Sequence, residues 1–247
     1  MTKEKPHLDI GTSGWHYEHW KKIFYPDKLS KSEWFQYYSK EFGTVEINNT
    51  FYHLPKEKTI KNWHKQSPRK FTFSVKISRY ITHIKRLKEP KKSIKLFFKR
   101  IKYLEDNLGP ILHQLPPTFK KDEKNVSRLS KYLKALPDEY RHVIEFRHPS
   151  WFDEDVYNLL SKHNAALCIV SMPDFPTVLK ATSDFVYIRM HGGNVLYGSN
   201  YSKKELKECY SWIKRFLDDG LDVYVYFNND ARGYAIKNAK TLIELLS

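Results

Sequence analysis

The feature that most constrains this chain is a regular alternation of short apolar runs with amphipathic stretches. Strand character recurs eight times, at residues 8–13, 44–48, 70–78, 110–115, 141–147, 166–171, 185–190 and 221–227. Between and after these runs the apolar spacing turns helical, over 30–42, 56–66, 90–107, 125–135, 153–163, 202–218 and 234–246. This alternation predicts an α/β fold with parallel strands, because each return to the sheet is made through a helix. Eight such units in 247 residues, with no Gly/Ser linker, predict a single (β/α)8 TIM-like barrel over residues 1–247. One unit is irregular: Pro173 and Pro176 interrupt residues 172–183, between strands six and seven. The competing arrangement is an open doubly wound sheet with a Gly-rich phosphate loop after its first strand. Gly11-Thr12-Ser13-Gly14 lacks both the G-x-G-x-x-G spacing and a P-loop lysine.

In a barrel covered by helices the outward strand residues are apolar, and the inward ones near the C-terminal strand ends build the site. Period-2 alternation sorts the residues. Outward go Val45 and Ile47, Phe73 and Val75, Ile144 and Phe146, Val186 and Ile188, Val225 and Phe227. Inward go Glu46 and Asn48, Ser74 and Lys76, Gln114, Glu145 and Arg147, Arg189 and His191, Tyr226 and Asn228. His83 joins them if its loop folds over the mouth. A purely structural ion-pair network is the bland alternative, since buried charges must be paired. Polar residues contributed by strand after strand favour a ligand site.

The residue types suggest roles. Glu46 and Glu145 form a candidate acid/base pair, expected in one cavity with Arg147 and His191, and His191 is a candidate proton shuttle. Lys76, Arg147 and Arg189 are candidate clamps for a phosphate or carboxylate. Asn48, His83, Gln114 and Asn228 complete the polar lining. Tyr52, Trp151 and Tyr197, with Trp15 and Tyr201, sit on loops where an aromatic face can stack on a sugar or base. Three cations against two carboxylates leave the five charged residues at +1, which suits a small anionic or sugar-like ligand. The same surplus disfavours a divalent metal at Glu46, Glu145 and His191, and no H-x-H or H-E-x-x-H pattern is present. No metal and no cofactor is therefore expected. There is no G-x-S-x-G, and Cys168 has no evident histidine partner.

Composition bears on partners. Lys and Arg total 43 against 28 Asp and Glu, a formal net charge of +15. Such a surplus favours anionic partners, nucleic acid included. However, 33 of the 43 are lysines, and base-reading proteins lean on arginine. Lys88, Lys92, Lys95, Lys99 and Lys102 fall on one helical face, with Leu96, Phe97 and Ile101 on another, as in a solvated amphipathic helix or a phosphate-tracking stripe. No apolar run is long enough to cross a membrane, residues 1–5 are polar rather than signal-like, and Cys168 and Cys209 read as reduced core thiols. A cytoplasmic protein with no membrane contact is expected, and its oligomeric state is not legible.

Several stretches occur together in order: Ile10-Gly11-Thr12-Ser13-Gly14-Trp15, Val45-Glu46-Ile47-Asn48-Asn49-Thr50-Phe51-Tyr52, Thr82-His83, Gln114-Leu115-Pro116-Pro117, Glu145-Phe146-Arg147, Arg189-Met190-His191-Gly192 and Tyr226-Phe227-Asn228-Asn229. As a set they resemble the YecE-like family, domain-of-unknown-function family 72, from about residue 8 onward. The resemblance implies a TIM barrel with its site around those motifs, and no established reaction. The lysine stripe is not among the shared motifs. The residues thus point first to an enzyme of hydrolase or lyase type. A nucleic-acid-binding protein and a non-catalytic metabolite-binding barrel are the alternatives.

Overall fold

The computed structural model describes residues 5–246, so the polar start at residues 1–4 lies outside it. Eight strands, β1 (Leu8–Ser13), β2 (Thr44–Ile47), β3 (Thr72–Lys76), β4 (Leu108–Gln114), β5 (His142–Glu145), β6 (Ala165–Ser171), β7 (Phe185–Met190) and β8 (Asp222–Phe227), follow one another in a closed barrel. The helices are α1 (Trp34–Glu41), α2 (Asn49–Tyr52), α3 (Glu57–Gln66), α4 (Pro90–Ile101), α5 (Glu123–Leu133), α6 (Glu154–Ser161), α7 (Lys203–Asp218) and α8 (Tyr234–Leu246). Between β6 and β7 there is no helix, as the two prolines require. The chain divides into two compact units, residues 1–46 with 169–247, and residues 47–168.

The first unit holds β1, β7, β8 and β2 as far as Glu46. All its strand pairs are parallel, with Thr12 opposite Val45, Gly11 opposite Tyr226 and Ile188 opposite Val225. Gly11 is needed for this approach: a Cβ there would sit 2.4 Å from the Thr44 carbonyl oxygen. Helix α7 starts where the sequence puts it, with Ser202 and Glu205 closing a capping box. A cluster of Trp20, Tyr25, Trp34 and Tyr38 fills the region before α1, with Tyr25 stacked on Trp34 at 4.6 Å. Trp15 belongs to this packing, buried edge-on against Phe35, and is not a stacking platform.

The second unit carries β3 to β5, β6 as far as Cys168, and α2 to α6. Phe73 pairs with Leu108, Gln114 with Glu145 and Ile144 with Leu167. Helix α4 is shorter than its pattern suggests. It ends at Ile101, and a 3₁₀ turn with Glu105 at φ 49° takes the chain to Asn107. The cause is tertiary: the buried Asn107 amide donates to the Phe71 carbonyl at 2.7 Å and faces His64 Nδ1 at 2.7 Å. The apolar face of α4 also differs from expectation. Ile94, Phe97, Phe98 and Ile101 are buried, whereas Leu96 is 57% exposed.

One polar chain in this unit escaped the pattern. Tyr132 OH meets His113 Nδ1 at 2.7 Å, His113 Nε2 meets His142 Nδ1 at 3.1 Å, and His142 Nε2 meets the Pro137 carbonyl at 2.8 Å. The carbonyl only accepts, so each neutral imidazole has one tautomer available and the chain runs Tyr132→His113→His142→Pro137. Burial, with His142 as neighbour, holds His113 well below the ordinary histidine range. Burial likewise lowers His142, against the raising effect of the Pro137 carbonyl. The pair is a satisfied structural element, and it breaks the rule that outward strand residues are apolar.

Candidate functional site

Each unit concentrates ionic side chains at the C-terminal ends of its strands. In the first unit Glu46 is the penultimate residue of β2 and Arg189 of β7, while Ser13 ends β1 and lies opposite Glu46 in register. The Glu46 carboxylate is fully buried and accepts four hydrogen bonds. Arg189 grips it in bidentate fashion, Nη2 to Oε1 at 2.7 Å and Nε to Oε2 at 3.0 Å. Ser13 Oγ donates to Oε1 at 2.5 Å and Tyr187 OH to Oε2 at 2.6 Å. Burial by itself raises the Glu46 pKa. The Arg189 charge and the donated bonds outweigh it and hold the carboxyl below its ordinary value. A carboxylate so saturated keeps its negative charge and has no lone pair turned to a substrate. Glu46 is thereby corrected from acid/base candidate to buried counter-ion.

His191 follows β7 directly. Its Nε2 lies 3.4 Å from Arg189 Nη1, its Nδ1 lies 3.0 Å from the Asn228 amide, and Tyr197 stands edge-on to the ring at 5.4 Å. Guanidinium N–H groups only donate, so Nε2 is the accepting atom toward Arg189, while the Asn228 amide nitrogen faces Nδ1. Tyr197 is 40% exposed in a loop that turns through Gly192 at φ 113°. Tyr201, by contrast, is buried and receives the Gly192 N–H at its hydroxyl, 2.9 Å away, so it braces this loop from beneath.

In the second unit Lys76, Gln114 and Glu145 are the last residues of β3, β4 and β5. Lys76 Nζ donates to Gln114 Oε1 at 2.6 Å and sits 4.2 Å over the Phe51 ring. Glu145 is fully buried, accepts from Arg147 Nε at Oε1, and has the Cys168 thiol 4.0 Å from Oε2. His83 lies on a π-helical turn, Tyr80–Ile84, a distortion that recurs at functional sites. The imidazole is held edge-on to Phe51 at 4.9 Å and by Thr82 Oγ1 at 2.9 Å. Its pKa falls to about 4, first through burial and then through the charges of Lys76, Arg79, Arg147 and Arg86. Asn48, just before α2, has a buried carboxamide oxygen without a hydrogen-bond partner among the described residues, and Tyr52 is 62% exposed.

Of the sequence-derived candidates, the first unit thus joins Glu46, Arg189, His191, Tyr197 and Asn228. The second gathers Lys76, His83, Gln114, Glu145 and Arg147, with Asn48 and Tyr52 on the neighbouring segment. Trp151 is a correction. It is sandwiched between Phe119 and Phe146, with rings 5.5 and 4.8 Å away and nearly parallel, and its Nε1 donates to the Phe119 carbonyl at 2.6 Å. Neither face is available to a ligand. Residues the pattern missed are Ser13 and Tyr187, which complete the Glu46 shell, Phe51 beneath Lys76, Arg79 and Arg86 around His83, and Cys168 beside Glu145. Ser13 and Tyr187 shared the inward parity of their strands, a signal that was there to be used. Arg79 and Arg86 lie on a loop, where no periodicity points to them.

Fold and strand-end chemistry together define a class, the (β/α)8 barrel proteins with ionic side chains at the C-terminal ends of their strands. Within it, the chain belongs to the family described as "Protein of unknown function DUF72", whose profile matches residues 9–247. It is 31% identical over 268 residues to the UPF0759 protein YunF of Bacillus subtilis (strain 168), covering 96% of this chain and 94% of that one. It is 32% identical over 115 residues to the UPF0759 protein YecE of Escherichia coli (strain K12), covering 47% and 42%. A DUF72 family crystal structure from Thermotoga maritima MSB8 superposes with a TM-score of 0.90 at 33% identity, over 97% of this chain and 99% of that one. One from Enterococcus faecalis V583 gives 0.82 at 20% identity, over 97% and 95%. Among the described residues no helix is long and apolar enough to cross a membrane.

Proposed function

We propose that this protein binds a small anionic or sugar-like molecule at the ends of β3, β4 and β5 and carries out acid–base chemistry on it. The observation that supports this reading is the convergence of Lys76, Arg79, Arg147 and Arg86 on the half-buried His83, with Glu145 as the carboxylate of the same cluster. Four cations acting on one imidazole set a positive local potential, which favours an anionic ligand beside it. In this reading Lys76 and Arg147 hold the anionic group, and Gln114 and Asn48 orient its polar substituents. Tyr52 offers an exposed ring to a sugar face, and Glu145 moves the proton. His83, neutral at pH 7, accepts a hydrogen bond from the ligand or gains a proton as the anion arrives. The buried cysteines Cys168 and Cys209, neither of them in a disulfide, suit work in a reducing, cytoplasmic compartment.

The test is thermal stabilisation by inorganic phosphate, sulfate and a panel of sugar phosphates, followed by assays for hydrolysis and elimination of whichever compounds stabilise. A bound ligand raises stability by RT ln(1 + [L]/Kd), so a millimolar binder registers at tens of millimolar. Stabilisation that Lys76→Met abolishes supports the site. Stabilisation without turnover identifies a metabolite-binding barrel. A flat response across the panel sinks the reading.

A further inference from the structure

A second charged feature of the same unit lies outside this site. Lys91, Lys95, Lys99 and Lys102 line one side of a surface groove of 760 Å³, and Lys134, at the end of α5, lines it too. Spacings of four residues keep Lys91, Lys95 and Lys99 on one face of α4, with steps of about 6 Å along the axis, and Lys102 follows in the turn just after it. The apolar lining includes Ile94, Phe98 and Tyr140, the last two stacked at 4.9 Å with ring planes 25° apart. Five lysines thus stand against one carboxylate, Glu139.

A helix that needs only solubility alternates its charges, as Glu57 with Lys61 and Lys214 with Asp218 do elsewhere in this chain. The groove side of α4 instead repeats like charges at i, i+4, an arrangement that weakens a helix. None of the five lysines is held in an ion pair among the described residues. They also border a concave, aromatic-lined surface rather than a convex solvated one. From this we infer that the α4 groove is a binding surface for the backbone of a single-stranded nucleic acid.

The chemistry selects this occupant. Lysine ammonium groups are point charges that follow phosphates without reading base edges. The step between successive α4 lysines is close to that between phosphates of an extended strand. The half-exposed Tyr140, backed by the buried Phe98, offers a ring face to an unpaired base, which a duplex keeps stacked inside. Such a strand presents an anion and a flat apolar face at every residue, whereas an acidic peptide presents carboxylates without the flat face. Binding is accordingly sequence-tolerant and steeply salt-dependent.

The experiment is fluorescence anisotropy of the full chain with a labelled oligothymidylate from low to physiological salt. The variants are Lys95→Glu/Lys99→Glu, Tyr140→Leu and, as a control of equal net charge on α7, Lys203→Glu/Lys207→Glu, each checked for an unchanged thermal melt. Reversal in the groove is expected to cut affinity at least tenfold. It also flattens the logarithmic salt slope by about 1.4, from about 0.7 per phosphate contact on a single strand. Tyr140→Leu is expected to cost several-fold with the slope intact, and the α7 control to cost much less than groove reversal. No binding at low salt overturns the inference, as does an equal loss in the α7 control. Competition by polyglutamate as effective as that by unlabelled oligothymidylate, with Tyr140→Leu unimpaired, also overturns it and makes an acidic peptide the occupant.

Discussion

Glu46 with Arg189, and Glu145 with Arg147, are the same residue types at the same kind of strand end, yet their surroundings make them different groups. Around Glu46 both carboxylate oxygens are filled, by a bidentate guanidinium, a serine and a tyrosine. Charge is balanced and no face is left for a ligand. Beside Glu145, by contrast, Lys76, Arg79, Arg147 and Arg86 all act on His83 and repel its proton. The difference teaches that a carboxylate–arginine pair at the strand ends says nothing about catalysis until its other neighbours are known. One arrangement is a rivet. The other carries the positive potential expected of an anion site.

The comparison breaks most visibly at Arg189. Arg189→Met leaves the Glu46 carboxylate buried without its counter-ion and is expected to cost about 3–5 kcal/mol in urea unfolding. Glu46→Gln in the same chain should recover much of that loss. A cost within 1 kcal/mol would show that the first cluster is not the structural rivet described here. In the second cluster, Lys76→Met is expected to weaken sulfate binding about tenfold, equivalent to about 1.4 kcal/mol, in isothermal titration. Because Lys76 is the foremost charge acting on His83, the same change should raise that imidazole's pKa from about 4, read by NMR of the ring. An unmoved His83 titration would remove Lys76 from the site.

Proton linkage sharpens the contrast further. Sulfate keeps its charge between pH 7 and 5, whereas a bound anion pulls the His83 pKa upward. Sulfate binding should therefore take up a proton and tighten as the pH falls through that range. Binding independent of pH would place the anion away from His83. The buried His113 and His142 act on stability instead. Their pKa values are lowered in the folded state, so below about pH 6.5 the unfolded chain binds protons that the native chain does not. The stability they contribute is whole above that pH and lost as the pH falls below it. The melting temperature should drop between pH 7 and 5, and less steeply in Tyr132→Phe/His113→Leu/His142→Leu. The smallest effect on binding is expected at Trp151: Trp151→Phe strands the buried Phe119 carbonyl and leaves a small cavity, at a stability cost of about 1–3 kcal/mol. It should leave sulfate affinity unchanged, and a lost affinity would return Trp151 to the ligand.

The eight-strand order was legible because period-2 and period-3.6 patterns are local, and so were the caps at Ser202 and the absence of a helix between β6 and β7. Lys76, Gln114 and Glu145 were legible as site candidates because strand parity places every second residue on one face. Trp151 was misread for the reason that the early end of α4 was missed. A loop tryptophan and a helix terminus are decided by what packs on them, here Phe119 with Phe146, and the amide of Asn107.

What the sequence determined by itself was therefore the barrel class, the family, and the set of polar residues that alternate inward along the strands. What the tertiary structure decided was the state of each: Glu46 saturated, His83 stripped of its proton, His113 and His142 locked in one tautomer, and the α4 lysines bordering a groove. The physical reason is one of range. Secondary structure follows from neighbours a few residues away, whereas burial and charge depend on residues far off in the chain, such as the 143 positions that separate Glu46 from Arg189.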